Sequence, residues 1–89
     1  MESEKIENIL NEFIIISVYD SCYHLTVFID GKMYTHHDRS NEITHPLFEY
    51  VYEEGGYLSR EQLDKIAHDY NKSVIYCEDG EIDILHSKG

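Results

Sequence analysis

Six histidines are the first residues of this 89-residue chain with chemistry to offer, and His24, His36, His37 and His45 fall in one stretch with Asp38. Opposed imidazoles with a carboxylate as third ligand are a donor set for zinc or nickel. The spacing argues against it. The stretch contains no helical i, i+4 histidine pair, and neither cysteine, Cys22 or Cys77, lies in a Cys-x-x-Cys pair. The expectation is ordinary hairpin side chains, no metal, no cofactor and two reduced cysteines. His68 and His86 stand apart in the chain.

Covalent and phosphate chemistry find less support. Ser17, Ser21 and Cys22 lack the strand-turn-helix elbow that exposes a nucleophile beside its base. Gly55-Gly56 follows a predicted helix, whereas a phosphate-binding loop precedes one. Paired carboxylates arise by chance among eighteen, so they do not signal general acid–base work. The chain reads as a protein without enzymatic activity.

The carboxylates matter through their excess. Eighteen Asp and Glu oppose seven Lys and Arg, a net charge of −11. A small domain keeps soluble with a net charge of about 2 to 8, and beyond that self-repulsion works against the compact state. Such a surface repels nucleic acid, whose phosphates require Lys and Arg, and attracts basic proteins. The surplus is uneven. Residues 42–83 hold eleven acids and three bases, while residues 1–41 hold seven acids and three bases. The C-terminal half is the acidic pole.

The elements that would carry these charges can be read from local pattern. Ser3 caps a predicted helix over residues 4–12, with Ile6, Ile9, Leu10 and Phe13 on one face. Residues 13–19, β-branched and aromatic, suit a strand at the sheet centre, covered on both faces. Residues 23–29 and 32–37 form a hairpin about Asp30-Gly31. That turn pairs Ile29 with Lys32, Phe28 with Met33, Thr26 with Thr35 and His24 with His37, leaving Leu25, Val27 and Ile29 on the other face.

Thr44 and His45-Pro46 mark the start of a helix over residues 45–54, ended by Gly55-Gly56. Ser59 and Gln62 form a capping box, with Leu58 and Leu63 as its hydrophobic staple, so a further helix starts at Arg60. Leu63, Ile66, Ala67 and Tyr70 make its buried stripe and Asn71 its left-handed stop. Residues 73–77 and 81–85 form a second hairpin about Asp79-Gly80. The whole is one α+β domain over residues 1–89, in the order αβββααββ, with a mostly antiparallel sheet packed against helices.

In the register of Asp79-Gly80, Tyr76 opposes Asp83 and Glu78 opposes Glu81, so one hairpin face presents carboxylates around an aromatic ring. Same-face residues on a strand lie about 6.6 to 6.8 Å apart, a row able to stand in for backbone phosphates. The candidate partner-binding residues are Glu49, Glu53, Glu54, Glu78, Asp79, Glu81 and Asp83, with Tyr52 and Tyr76 as anchors. Eight tyrosines and no tryptophan fit an interface that uses Tyr for contact area and hydrogen bonding.

Short length, strong acidity and a mixed sheet give the chain a profile similar to that of phage-encoded inhibitors such as anti-CRISPR and DNA-mimic proteins. The resemblance is one of composition and transfers no residue's role. It implies a small inhibitor occupying the basic nucleic-acid channel of a nuclease or CRISPR effector. An antitoxin or immunity protein neutralising a basic nuclease is the nearest alternative, and a homo-oligomeric accessory protein the next. No direct nucleic-acid contact is expected. The opening Met1-Glu2-Ser3-Glu4 lacks the basic and apolar regions of a secretory signal, and no run nears 20 apolar residues. The expected setting is the cytoplasm, without a membrane.

Overall fold

A computed structural model describes residues 12–20, 24–36 and 45–86. Five strands form one sheet in the order β3-β2-β1-β4-β5, built from β1 (Phe13–Val18), β2 (Thr26–Ile29), β3 (Lys32–Thr35), β4 (Ser73–Glu78) and β5 (Glu81–Leu85). Two helices, α1 (Pro46–Glu53) and α2 (Arg60–Tyr70), lie in sequence between β3 and β4. The class is α+β with a mostly antiparallel sheet. The helix expected over residues 4–12 falls almost wholly outside the described residues, as does His37, the expected partner of His24.

The hairpin turns do what their sequences require. Asp30-Gly31 and Asp79-Gly80 place both residues at positive φ, 54° and 75° in the first and 49° and 93° in the second. A turn of that hand matches the twist of its strands. The first sets Ile29 opposite Lys32, Phe28 opposite Met33 and Thr26 opposite Thr35. The second sets Glu78 opposite Glu81 and Tyr76 opposite Asp83. Both registers agree with those read from the sequence.

β1 occupies the centre, antiparallel to β2 and parallel to β4, with Ile15 opposite both Phe28 and Ile75. Among the described residues, α1 and α2 cover one of its faces. Ile14, Ile16 and Val18 are buried, whereas Phe13, Ile15 and Ser17 are half-buried. The expected cover on the second face is not supplied by the described helices. Parallel pairing forces the chain to cross from the end of one strand to the start of the other, and here both α1 and α2 pack on the same side of the sheet. Leu47, Phe48 and Val51 of α1 and Leu63, Ile66 and Ala67 of α2 meet Ile14, Ile16, Val27, Ile29, Val74 and Leu85 in the core.

The helix boundaries have local causes. In α1 the cap is His45: its Nδ1 accepts the Leu47 N–H at 3.0 Å, and Pro46 fills the first turn. Gly55 and Gly56, both at φ 83°, end the segment. In α2 the Ser59 hydroxyl accepts from the Gln62 N–H at 3.2 Å while Gln62 Oε1 accepts from the Ser59 N–H at 2.8 Å. Leu58 and Leu63, the expected staple, are both buried. Asn71, at φ 51°, is the left-handed stop.

Loss of the capping box should be felt by the whole domain, because α2 covers β4. Ser59→Ala is expected to lower stability by about 1 kcal/mol, read as a lower denaturation midpoint with an unchanged slope in urea. Ser59→Asp should retain the wild-type midpoint.

Candidate functional site

The Tyr76 side chain organises the end of the sheet where the acids gather. Like Val74 two residues before it, Tyr76 faces the helix side of β4, and it is only 3 % exposed. Its hydroxyl accepts the Leu58 N–H at 2.9 Å and donates to the Gly56 carbonyl at 3.1 Å. A single phenol thus satisfies two backbone groups of the α1–α2 loop and pins that loop over the sheet. The expectation of Tyr76 as an exposed anchor inside a ring of carboxylates is therefore corrected. It is a buried strut, because the face it shares with Asp83 is the one that α2 covers.

Just beyond the strand, the same loop is fastened again. The Tyr57 hydroxyl donates to the Asp79 carboxylate, 3.0 and 3.1 Å from its two oxygens. The Asp79 N–H donates to the Val18 carbonyl at 3.1 Å, tying the hairpin turn to the end of β1. Glu53 and Glu54 end α1 just before this loop, Arg60 and Glu61 begin α2 just after it, and Asp20 follows β1. One end of the domain, at the C-terminal ends of β1 and β4, therefore collects Asp20, Glu53, Glu54, Glu61, Glu78, Asp79 and Glu81. Arg60 lies among them, engaged with Asp64 at 3.5 Å. The opposite end carries Lys32 and Lys72 together with Glu12, Asp30 and Asp69, and there Lys72 pairs with Asp30 at 3.1 Å.

Of the expected partner-binding residues, Glu53, Glu54, Glu78, Asp79 and Glu81 are brought to this end. Glu49 sits one turn back on α1, half-buried, and Asp83 lies further down β5, exposed. Tyr52 is half-buried, stacked between Phe48 at 6.2 Å and His36 at 6.1 Å, where it packs against the core. Sequence reading missed Tyr57, which sits between turn residues and meets Asp79 only through a contact 22 residues away. No local pattern announces such a contact.

Several of these carboxylates stand where the fold is least favourable to them. Glu53 and Glu54 end a helix with no basic residue in its last turn, against the partial negative charge of a helix C-terminus. Glu78 and Glu81 are directly opposed across the ladder, a like-charge pair that costs stability.

The histidines are dispersed. The His24 ring leans on Tyr19 at 6.0 Å, His36 stacks on Tyr52, and His45 caps α1 beside Tyr34 at 5.5 Å and Tyr70 at 6.2 Å. Among the described residues no three His, Cys, Asp or Glu converge as metal ligands. His37 and Asp38, which the metal reading also needs, lie outside the described residues. Between the helices, Tyr50, Gln62, Lys65 and Tyr70 help line a hollow of about 170 Å³. That is below the roughly 300 Å³ at which small-molecule pockets begin, and Gln62 Nε2 already donates to the Tyr50 hydroxyl at 3.1 Å. No described helix is long and apolar enough to cross a membrane.

Compared with protein-family models, with curated proteins and with solved structures, the chain matches none. Its own residues are the ground on which a function can be assigned.

Burial pushes the Tyr76 phenol above its ordinary value of 10.0; the Leu58 N–H opposes the shift, while Glu78, Tyr57 and Asp79 add to it. Tyr70 moves the same way through burial, Asp69 and Asp30. Both shifts disfavour the phenolate in the folded chain. Above pH 10 the unfolded chain loses protons that the folded chain keeps, so stability falls as pH rises. Tyr76→Phe removes one of these groups and strands the buried Leu58 N–H. It is expected to cost about 1 to 3 kcal/mol near pH 7 and to flatten the decline in stability between about pH 9 and 11. Urea titrations of both proteins across that range measure the two effects together.

Proposed function

We infer that the chain is a small acidic inhibitor that binds another protein at a basic nucleic-acid-binding surface, its carboxylates standing in for phosphates. The observation that carries this reading is the placement of acids at one end of the sheet against their local cost. Glu53 and Glu54 oppose a helix dipole, and Glu78 faces Glu81 across a ladder. A fold selected for stability alone would exchange or disperse them. A run of local choices at odds with the fold is what functional positions look like.

The geometry gives the acidic end a firm base. Tyr76 and Tyr57 hold the α1–α2 loop to β4 and to the hairpin turn, so its carboxylates are presented by fixed backbone. Ordering them costs less on binding than ordering a loose acidic tail. Opposite charge then speeds encounter with a basic groove, and the complex weakens as salt shortens the screening length from about 10 Å at 0.1 M towards 3 Å at 1 M. The interfacial contacts fall to Glu53, Glu54, Glu78, Asp79 and Glu81, with Asp83 alongside. Tyr57, its hydroxyl already on Asp79, supports them. The partner is a nuclease or other nucleic-acid enzyme with a basic channel. The proposed setting is the cytoplasm, where such enzymes meet their substrates.

Capture from bacterial lysate on the immobilised chain tests this. A basic nucleic-acid enzyme should be retained at about 0.1 M salt, released at about 0.5 M, and displaced by added DNA or RNA. The triple variant Glu78→Lys/Glu81→Lys/Asp83→Lys should lose that partner while keeping a wild-type circular dichroism spectrum. Normal binding by the triple variant would overturn the assignment of these residues. The single change Glu81→Gln should weaken binding and raise the unfolding temperature together, since it relieves the opposition to Glu78.

A further inference from the structure

The side of the sheet away from the helices has a composition unlike the rest of the chain. The strand registers place twelve side chains on it: Phe13, Ile15 and Ser17 of β1, two each from β2, β3 and β5, and three from β4. None of the twelve is charged, in a chain with 28 % charged residues. All four charged strand residues, Lys32, Glu78, Glu81 and Asp83, belong to the helix side instead. Across the middle of the bare side, paired residues make a continuous apolar row of Met33, Phe28, Ile15, Ile75 and Ile84. Met33 is 58 % exposed, Ile84 53 % and the neighbouring Ile82 65 %.

β5 shows that this is more than incidental surface. Its alternation of Glu81-Ile82-Asp83-Ile84 would ordinarily turn isoleucine towards the core and acid towards water. Here Leu85 is the buried residue, and Ile82 and Ile84 point to the side away from α1 and α2. The strand is patterned for a second apolar layer.

We propose that this face is a dimer interface, in which a second copy of the chain packs sheet against sheet with the helices outward. Charge, shape and area all bear on it. A body of net charge −11 repels its own copy, and least where the contacting face carries no charge. Sheets pack face to face at about 10 Å, and the strand charges then project away from the contact on both sides. Repulsion is least when the ends bearing Glu53, Glu54, Glu78, Asp79 and Glu81 point in opposite directions, about a sheet's length apart and so beyond the physiological screening length of about 8 Å. Shape agrees, because two sheets of one twist pack aligned at about −30°, and a second copy brings the same twist.

The face is roughly 24 Å across five strands and 13 to 20 Å along them. Its plan area is therefore about 400 Å², which side-chain relief brings towards the 600 Å² or so per partner at the low end of specific interfaces. The dimer is a reversible one rather than obligate. The face stands apart from the acidic end, so this assignment holds or fails independently of the inhibitor reading.

Sedimentation equilibrium on the full chain between about 5 and 500 µM decides it. The expected result is a rise in mass from 10.5 kDa towards twice that value, with tighter association at about 0.5 M than at about 0.1 M salt, as screening relieves repulsion. That salt response is opposite in sign to the one expected for a basic partner. Ile82→Lys/Ile84→Lys at one side of the face and Met33→Lys at the other should each weaken association tenfold or more and leave the monomer's thermal unfolding unchanged.

A monomer at every concentration would overturn the proposal and leave the face to a different protein. A dimer indifferent to these variants would place the contact elsewhere, and sensitivity to the β5 variant alone would indicate edge pairing; both overturn it. A monomer whose lysine variants lose thermal stability would assign the face to the chain's own remaining residues and overturn it as well.

Discussion

Because β4 runs parallel to β1, the chain between the first hairpin and the last must travel the length of the domain, and it does so carrying both helices. That pairing decides which side of every strand is core. Ile14, Ile16 and Val18 on β1, Val74 and Tyr76 on β4 and Leu85 on β5 fall on the covered side as a matter of parity. Once the crossover has placed both helices on one face, the other receives neither, and the isoleucines of β5 are left in solvent. The buried strut and the bare face are therefore two results of one long-range contact.

Local chemistry made much of this legible in advance. Two Asp-Gly turns, a capping box with its staple and an asparagine stop each act within a few residues, and each set its element or register as the sequence suggested. Long-range parity was not legible. The register of the last hairpin correctly set Tyr76 opposite Asp83, but register alone does not say which side meets the helices. That depends on β1, a partner strand 60 residues away, and from it follows whether Tyr76 is an anchor in solvent or a strut in the core. The same missing fact inverted β5, whose alternation reads most simply as isoleucine inward. His45 was a smaller surprise, since imidazole caps a helix by offering Nδ1 where serine or asparagine would offer oxygen.

Stability and the acidic end draw on different parts of the molecule. Among the described residues, sixteen buried hydrophobic side chains form one core, with Tyr34, Tyr52, Tyr57 and Tyr70 packed at its margin. Each large side chain buried there contributes about 1.5 to 3 kcal/mol, against about 0.3 to 1 kcal/mol for an ill-placed helix-terminal charge and about 0.2 to 1 kcal/mol for a like-charge cross-strand pair. The core can therefore carry several unfavourable carboxylates without losing the fold, provided they remain hydrated at its end. Tyr76 stands at the boundary: its ring belongs to the core, and its hydroxyl holds the loop that joins the helix ends bearing Glu53, Glu54 and Glu61.

Keeping strand charges off one side of the sheet has a consequence for assembly. A uniformly acidic surface would allow no self-contact, whereas twelve uncharged outward side chains leave one face on which two such bodies can meet. Copies joined there would point their acidic ends in opposite directions, so a single groove could not engage both. Such a dimer gains nothing by avidity on one basic site, because linkage strengthens binding only where geometry permits both contacts at once. It could bridge two copies of a basic partner. Acidic docking weakens with salt while apolar sheet packing strengthens as repulsion is screened, so the two surfaces respond to ionic strength with opposite sign and their contributions can be separated in one protein.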